Sequence, residues 1–465
     1  MVRINNALEE NENRFTKLFA KKNIFYILAI LILVLPVIIR AGELKFEDYY
    51  FFERASSLDF GKDDLSYSGR DFSYYPLGIL ITEFFKGFSL AYLIIPFLLG
   101  LMSLALMRSI FLDFDEDKNN LYLFSYLMIF SPAFIYCFTN YVKEGFIVTL
   151  LLAGIYFFLR KYKIISVLMF FLTCLFGFYS GIIALIILII LSINEKRKYL
   201  YYLLSLNAIF YFYYIYMNGL PELLNFNVNN IKNYLFDLGS PYGLSFFLII
   251  AGIFGFRRLW REKYKYYKVY LVLIGFFLLS FLDNKNIIYL GFLITVFGAY
   301  GIEFFIKTKW EGEQMKILTI LIISLGIVFS GVSHIILSNS FEPGNGLKEV
   351  VNSVENETIF SYYSYGIYIN YFDNRNVIDS NFHYAPDVNE RFIDSETIFS
   401  SRRLDKTDEI LKKYDVTYIL ITPWMRKNLW ITDEDGLLFV LKYNPLFELV
   451  KSKGGYELWK VNREE

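Results

Sequence analysis

The sequence predicts an α-helical polytopic membrane protein with about eleven transmembrane helices, followed by a small extracytoplasmic α/β domain. Three observations carry this expectation. Of 465 residues, 55% are hydrophobic and 20% aromatic, and the mean hydropathy is +0.39. An average soluble domain is about 45–50% apolar when glycine is counted; this chain exceeds that before its 28 Gly are added. Apolar runs of membrane length recur from residue 24 to residue 337, and from residue 338 onward charges and turn residues return and the runs shorten. The expected division is therefore a membrane domain over 1–339 and an outer domain over 340–465, the latter of about 120 residues, enough to fold alone.

A spanning helix needs about 20 mostly apolar residues. The expected spans are 24–39, 90–112, 121–138, 145–159, 164–178 and 181–193, then 200–217, 244–256, 269–282, 287–306 and 317–337. The first run reads as a retained span. Arg40-Ala41-Gly42-Glu43 follows it directly, with no small-residue cleavage site, and the polar stretch before it carries Lys21 and Lys22.

Basic residues set the orientation, because short cytoplasmic loops retain Lys and Arg. With the N-terminus in the cytoplasm, the inner loops hold Arg160/Lys161/Lys163, Lys196/Arg197/Lys198, Arg257/Arg258/Arg261/Lys263/Lys265/Lys268 and Lys307/Lys309/Lys316. The intervening outer loops carry single cations, Lys143, Lys232 and Lys285. An odd number of spans then places residues 340–465 outside the cell membrane, on the side of loops 40–89, 139–144 and 218–243. Within 340–465, residues 358–360, 377–379 and 416–422 read as strands and residues 405–414 as a helix. Residues 446–451 and 456–461 flank Gly454-Gly455, a hairpin signal because glycine supplies the positive φ of a tight turn.

Composition narrows the chemistry. Forty-six basic and 46 acidic residues give a formal net charge of zero, without the basic footprint of a nucleic-acid binder. Two Cys cannot staple a scaffold or build a Cys-rich zinc site, and two His exclude a His-rich centre. No phosphate-binding G-x-x-x-x-G-K-[ST], H-E-x-x-H or Gly-x-Ser-x-Gly occurs. His334 and His383 read as packed residues, and Cys137 and Cys174 as small hydrophobes. Carboxylates are left as the catalytic set.

The first outer loop concentrates them. Glu47 and Asp48 stand beside aromatics, with Arg54, Asp59, Asp63, Asp64, Arg70 and Asp71 following. Carboxylates at a membrane surface can bind a divalent cation or act as general bases; the alternative is an interfacial helix with an ordinary aromatic belt. In the second outer loop Glu144 stands at the lip of a span, either as a functional acid or as half of a Lys143/Glu144 surface pair. The loop 218–243 offers Glu222 and Asp237.

Together these features resemble the GT-C superfamily of integral-membrane glycosyltransferases, and the pattern is similar to that of a short, divergent archaeal oligosaccharyltransferase catalytic subunit. Asp48-Tyr49-Tyr50-Phe51-Phe52-Glu53-Arg54 resembles the first-loop D-x-Y-x-x-x-R pattern, and Val142-Lys143-Glu144 falls at the second acidic motif. Ser361-Tyr362-Tyr363-Ser364-Tyr365-Gly366 falls at S-W-W-D-Y-G, followed by matching stretches over 369–372, 375–381 and 410–420. The departures are specific: Tyr replaces both Trp, Ser364 replaces the motif's Asp, and Val142 replaces the first acid of the second motif.

The resemblance implies transfer of a sugar or oligosaccharide from a polyprenyl-phosphate (dolichyl-phosphate-type) donor to a glycan, lipid or protein acceptor on the outer face. It implies Asp48 as metal ligand or base, Glu144 as second acidic ligand of a Mg2+ or Mn2+ ion, and Arg54 facing phosphate or bracing Asp48. Glu47, Arg70, Asp237, Tyr363 and Tyr365 would contact donor or acceptor, with Glu222 as the alternative to Asp237. S-W-W-D-Y-G reads the Ser/Thr of a protein sequon in that family, so its changes here weaken asparagine glycosylation as the reaction. Two other classes remain open at this point. A transporter or flippase for lipid-linked sugars would place ionisable groups at mid-membrane, whereas the acids here gather at the outer lip. A non-catalytic membrane subunit retaining the fold is the other.

Overall fold

Apolar helices account for most of the computed structural model, which describes residues 22–58, 62–71, 76–88, 90–115, 117–193, 208, 234–281, 284–380 and 385–462. In chain order these give α1 (Lys22–Ile39), α2 (Glu47–Ser57), β1 (Lys62–Asp63), β2 (Arg70–Asp71), α3 (Pro76–Phe84), α4 (Ala91–Phe114), α5 (Lys118–Ile129), α6 (Pro132–Thr139) and α7 (Lys143–Leu159). Next come α8 (Lys163–Cys174), α9 (Phe178–Ser192), α10 (Phe246–Leu259), α11 (Lys263–Leu279), α12 (Ile287–Lys307), α13 (Glu313–Leu337) and α14 (Asn345–Val351). The remainder are β3 (Thr358–Phe360), α15 (Gly366–Tyr371), β4 (Arg375–Asn376), α16 (Val388–Ser400), α17 (Leu404–Lys413), β5 (Tyr418–Ile421), α18 (Pro423–Asn428), α19 (Gly436–Tyr443), β6 (Phe447–Lys453) and β7 (Tyr456–Val461).

Contacts divide the chain into two units: Met1–Leu44, Gly87–Tyr211 and Phe226–Asn339 form the first, and Lys45–Lys86, Phe212–Asn225 and Ser340–Glu465 the second. The outer loop holding Glu47 and Asp48, assigned above to the membrane domain, thus packs as part of the unit that contains 340–465.

The first unit is helical. Three described stretches, starting with α4, at Asn284 and with α13, are long and apolar enough to cross a membrane, and a fourth joins α5 to α6 across a 61° bend. That bend divides the expected span 121–138. Pro132 cannot continue a helix, since it lacks the N–H and forces Ser131 into extended backbone (φ −68°, ψ 127°). The boundary between the fifth and sixth expected spans falls at Gly177, whose φ of +132° suits glycine and stops α8 short of α9. Helix α11 starts six residues before its expected span, because the cationic stretch from Lys263 is itself helical. The expected span 200–217, apart from residue 208, lies outside the described residues.

Among the described residues, α10 and α12 approach each other most tightly at their glycines. A Cβ on Gly255 would lie 1.7 Å from the Phe297 carbonyl oxygen, and one on Gly301 1.9 Å from that of Ala251. Only hydrogen fits there, as at small-residue crossings of membrane helices. Gly301→Val is therefore expected to abolish recovery of monodisperse protein in detergent. Gly312→Ala, with its nearest atom 3.8 Å away, is expected to purify like the wild type, and equal recovery of both variants would refute the crossing's role.

The second unit carries a mixed five-stranded sheet in the order β4-β3-β5-β7-β6. β4, β3 and β5 run parallel, while β5, β7 and β6 pair antiparallel with a register shift between Leu449 and Lys451. Strands at 358–360 and 456–461 fall where expected, and α17 matches the expected helix at 405–414 closely. Gly454 (φ +60°) and Gly455 (φ +83°) form the two-residue turn between Lys453 and Tyr456. The strand expected at 377–379 forms two residues earlier, because the parallel register pairs Thr358 with Arg375 and Ile359 with Asn376. Ile359, Ile419, Leu420, Ile421 and Leu458 are fully buried, and because Ile419 and Leu420 are consecutive in β5 the sheet is covered on both faces there.

Candidate active site

Helix α2 presents Asp48. Asp48, Phe51, Phe52 and Ala55 recur at i, i+3, i+4 and i+7, one face of a helix, and all four are buried. Phe52 lies under Gly78 of α3, where a Cβ would come within 2.5 Å of its ring. Tyr50 meets Tyr368 and Tyr371 edge-on at 5.1 and 4.7 Å. These aromatics are therefore protein core, which disfavours the interfacial-belt alternative for this loop. Glu47 and Asp48 occupy the first turn of α2, where the partial positive charge of the helix start favours carboxylates.

The start of α2 is held in an unusual conformation. Phe46 has φ +66°, costly for a bulky residue. It persists because its N–H donates to the Glu342 carbonyl (2.9 Å), its ring lies 5.2 Å from Phe341, and the neighbouring Lys45 ammonium donates to the Pro343 carbonyl (3.0 Å). The Ser380 hydroxyl donates to the Glu47 carboxylate.

Arg54 and Arg70 are each held by acids of the second unit. Arg54 bonds Asp63 through Nε (2.9 Å) and Nη2 (3.1 Å), and Asp373 through Nη1 (2.8 Å); its partners are these two acids, and it does not brace Asp48. Arg70 is 1% exposed and grips both oxygens of Asp379 at 2.8 and 3.0 Å. Around the same acid, Tyr67 accepts the Asp379 N–H (2.9 Å) and donates to its carbonyl (3.0 Å), and Asn376 donates to its carboxylate at 3.2 Å. Burial pushes the Tyr67 phenol well above its ordinary range, so it stays protonated. Arg391 extends the network to the carbonyls of Val377 (2.9 Å) and Tyr67 (3.1 Å). A small cleft between Arg54 and Arg70 is lined also by Phe51, Ser66, Ile367, Asn370 and Asp379. Asp63, Asp373 and Asp379 were not singled out as partners in the sequence; only a fold that folds the 62–71 loop back onto 370–380 pairs them.

The segment at S-W-W-D-Y-G is equally anchored. The Ser361 hydroxyl donates to the Leu420 carbonyl at 2.9 Å. Tyr363 packs on the buried cluster of Tyr67, Ile378 and Val388, 4.3 Å from the Tyr362 ring centroid. Burial raises the Tyr363 phenol, with Glu47 adding to the shift. Tyr365 is 2% exposed and reaches Glu342 at 3.4 Å, an acid that also accepts from Tyr456 at 2.6 Å.

In the first unit, Glu144 lies in the first turn of α7 and is 2% exposed, which excludes the surface-pair alternative. The loop before it is tied down by buried hydrogen bonds. Arg40, itself buried, donates to the Pro36 carbonyl (3.1 Å), the Asn140 side-chain oxygen and the Thr139 carbonyl. A Cβ on Gly145 would lie 2.4 Å from the Cys137 carbonyl oxygen. Asp237 accepts from the Phe246 N–H (2.7 Å) at the start of α10 and from the Ser330 hydroxyl (2.8 Å) of α13. His334 is buried against Phe236 with Nε2 2.8 Å from the Pro241 carbonyl, a packed residue as expected. Glu222 and His383 lie outside the described residues.

No protein-family model matches the chain, and no curated protein does. Solved structures match over nearly its whole length. The Archaeoglobus fulgidus oligosaccharyltransferase tethered with an acceptor peptide is 12% identical with a TM-score of 0.59, covering 95% of this chain and 74% of that one. ArnT from Cupriavidus metallidurans is 9% identical with a TM-score of 0.55, covering 94% of this chain and 97% of that one, and has also been solved bound to undecaprenyl phosphate. The mycobacterial arabinofuranosyltransferase AftD is 11% identical with a TM-score of 0.55, over 96% of this chain and 42% of that one. The chain has a divergent GT-C fold, as the resemblance in its motifs implies.

Proposed function

We propose that this chain is a membrane glycosyltransferase that moves a sugar or oligosaccharide from a polyprenyl-phosphate donor to an acceptor on the outer face of the membrane. The observation that carries the reading is a fold shared over nearly the whole of both chains with ArnT, whose structure holds undecaprenyl phosphate, and over 74% of an oligosaccharyltransferase solved with dolichol-phosphate. Under this reading the first unit crosses the membrane about eleven times, with a cytoplasmic N-terminus and residues 340–465 outside. Its apolar grooves take the polyprenyl tail.

Asp48 and Glu144 are the reactive acids. Asp48 takes the proton of the acceptor's hydroxyl or amine as the acceptor atom bonds to the anomeric carbon. The carbon–oxygen bond to the lipid phosphate breaks, and its electron pair leaves on the phosphate. Arg54, Arg70 and Asp379 hold the 62–71 loop and α2 in place, while Tyr363 and Tyr365 shape the acceptor side of the second unit. Asp237 secures the start of α10. With Ser364 in place of the motif's Asp, a glycan or lipid acceptor fits better than a sequon-bearing peptide.

Among the described residues no group of three or more His, Cys, Asp or Glu is arranged to hold a metal ion. On the resemblance alone, Asp48 and Glu144 would serve as carboxylate ligands of a Mg2+ or Mn2+ ion, with donor phosphate oxygens filling its shell, since Mg2+ is commonly held by one or two carboxylates plus substrate phosphates. Bound there it would neutralise charge on the leaving phosphate. Chelation by EDTA is expected to stop transfer and added Mn2+ to restore it, and Glu144→Gln is expected to raise the Mn2+ requirement at least tenfold. Transfer that survives EDTA and is indifferent to Glu144→Gln would remove the metal and Glu144 from the reading.

A further inference from the structure

The turn between α10 and α11 gathers a charge that the transfer chemistry does not use. Arg257, Arg261, Lys263 and Lys265 are exposed, and Glu262 is the sole acid in 257–268. Among the described residues none of these four cations has an ion-pair partner, whereas neighbouring Arg258 is neutralised by buried Glu303, which also binds Lys307 at 2.5 Å.

The surroundings fix what this patch meets. Leaving the turn, the helices expose Ile253 (62%), Ile274 (55%) and Leu278 (60%), the surface of helices facing hydrocarbon. At the turn itself exposure passes to Trp260 (51%) and Tyr264 (85%), residues that suit the headgroup layer. The Lys263 ammonium lies 5.7 Å from the Trp260 ring and 5.4 Å from that of Tyr264. Cations and aromatics thus share one exposed collar at the end of an apolar surface. Orientation of the chain requires positive charge in such a loop, but it does not require that charge to be displayed with aromatics on the outward face; Glu262 and Asp115 are the acids near Lys265, and neither forms an ion pair with it.

We propose that the α10–α11 turn is a binding site for the headgroups of anionic phospholipids. The site shares no residue with the proposed chemistry of Asp48 and Glu144 and holds whatever reaction they perform. Juxtamembrane clusters of this size attract anionic leaflets with roughly 1 kcal/mol per cation near the surface.

The test is native mass spectrometry of the full chain in neutral detergent with phosphatidylglycerol, phosphatidylcholine or inorganic phosphate added. The wild type is expected to retain phosphatidylglycerol over phosphatidylcholine, with no competition from inorganic phosphate at equal concentration. The triple variant Arg261→Gln/Lys263→Gln/Lys265→Gln is expected to lose that preference by about tenfold or more. Lys161→Gln, at another exposed basic turn, is expected to keep it. Wild-type thermal unfolding of the triple variant in phosphatidylcholine shows it is folded; if it is not, Lys265→Gln alone is expected to give a partial loss. Equal retention of both lipids by the wild type, an undiminished preference in the folded triple variant or in Lys265→Gln, or displacement by inorganic phosphate would each overturn the proposal.

Discussion

Asp48→Ala abolishes sugar transfer while leaving membrane insertion and thermal unfolding unchanged: this is the largest functional effect the account expects. A positioned general base contributes about 10²–10⁴-fold to rate, and loss of a shared metal ligand would add to that. The side chain is short, lies in the first turn of α2, and sits at the edge of a face whose packing comes from Phe51, Phe52 and Ala55. Removing its carboxylate leaves that packing intact. Asp48→Asn keeps the shape and removes the basicity, so it is expected to match Asp48→Ala in rate. A variant that transfers sugar at the wild-type rate would remove Asp48 from the chemistry, whatever the fold.

Asp379→Ala has the largest expected effect on stability. It leaves Arg70, 1% exposed, without its bidentate partner. Breaking a buried ion pair from one side costs about 3–5 kcal/mol, because the remaining charge stays desolvated. The double variant Arg70→Met/Asp379→Leu removes both charges and is expected to recover most of the loss, as apolar replacements of buried pairs often do. Thermal unfolding of the full chain in detergent reads both. A double variant no more stable than Asp379→Ala would show that the Tyr67 and Asn376 bonds, not the pair, hold the loop.

How much of this was legible follows from residue spacing. The apolar runs locate α1, α4, α12 and α13 to within a few residues, because polar or charged residues flank the runs. The Gly-Gly hairpin was legible because positive φ at two successive residues favours glycine. The broken pair at Ser131-Pro132 was written in the proline but masked by continuous hydrophobicity on both sides. Asp48 was visible as an acid among aromatics, and its place on a buried helix face follows from 48, 51, 52 and 55. What spacing cannot convey is partnership across distant chain. Arg54 with Asp373 and Arg70 with Asp379 join residues more than 300 positions apart, so spacing does not show which acids hold these arginines. Helix α16 was not expected because polar residues interrupt its apolar face, and α19 because its continuous apolar run over 437–441 is too short for periodicity to tell a helix from a buried strand.

The central claim is the donor. Purified chain in nanodiscs, offered radiolabelled sugars on polyprenyl phosphate and the same sugars on nucleotide diphosphates together with a membrane glycolipid fraction as acceptor, tests it most directly. The account predicts label moving to acceptor from at least one polyprenyl-phosphate sugar, with stoichiometric release of the lipid phosphate, and none from the nucleotide sugars. Transfer from a nucleotide sugar, or no release of lipid phosphate from any donor in the panel, would contradict it.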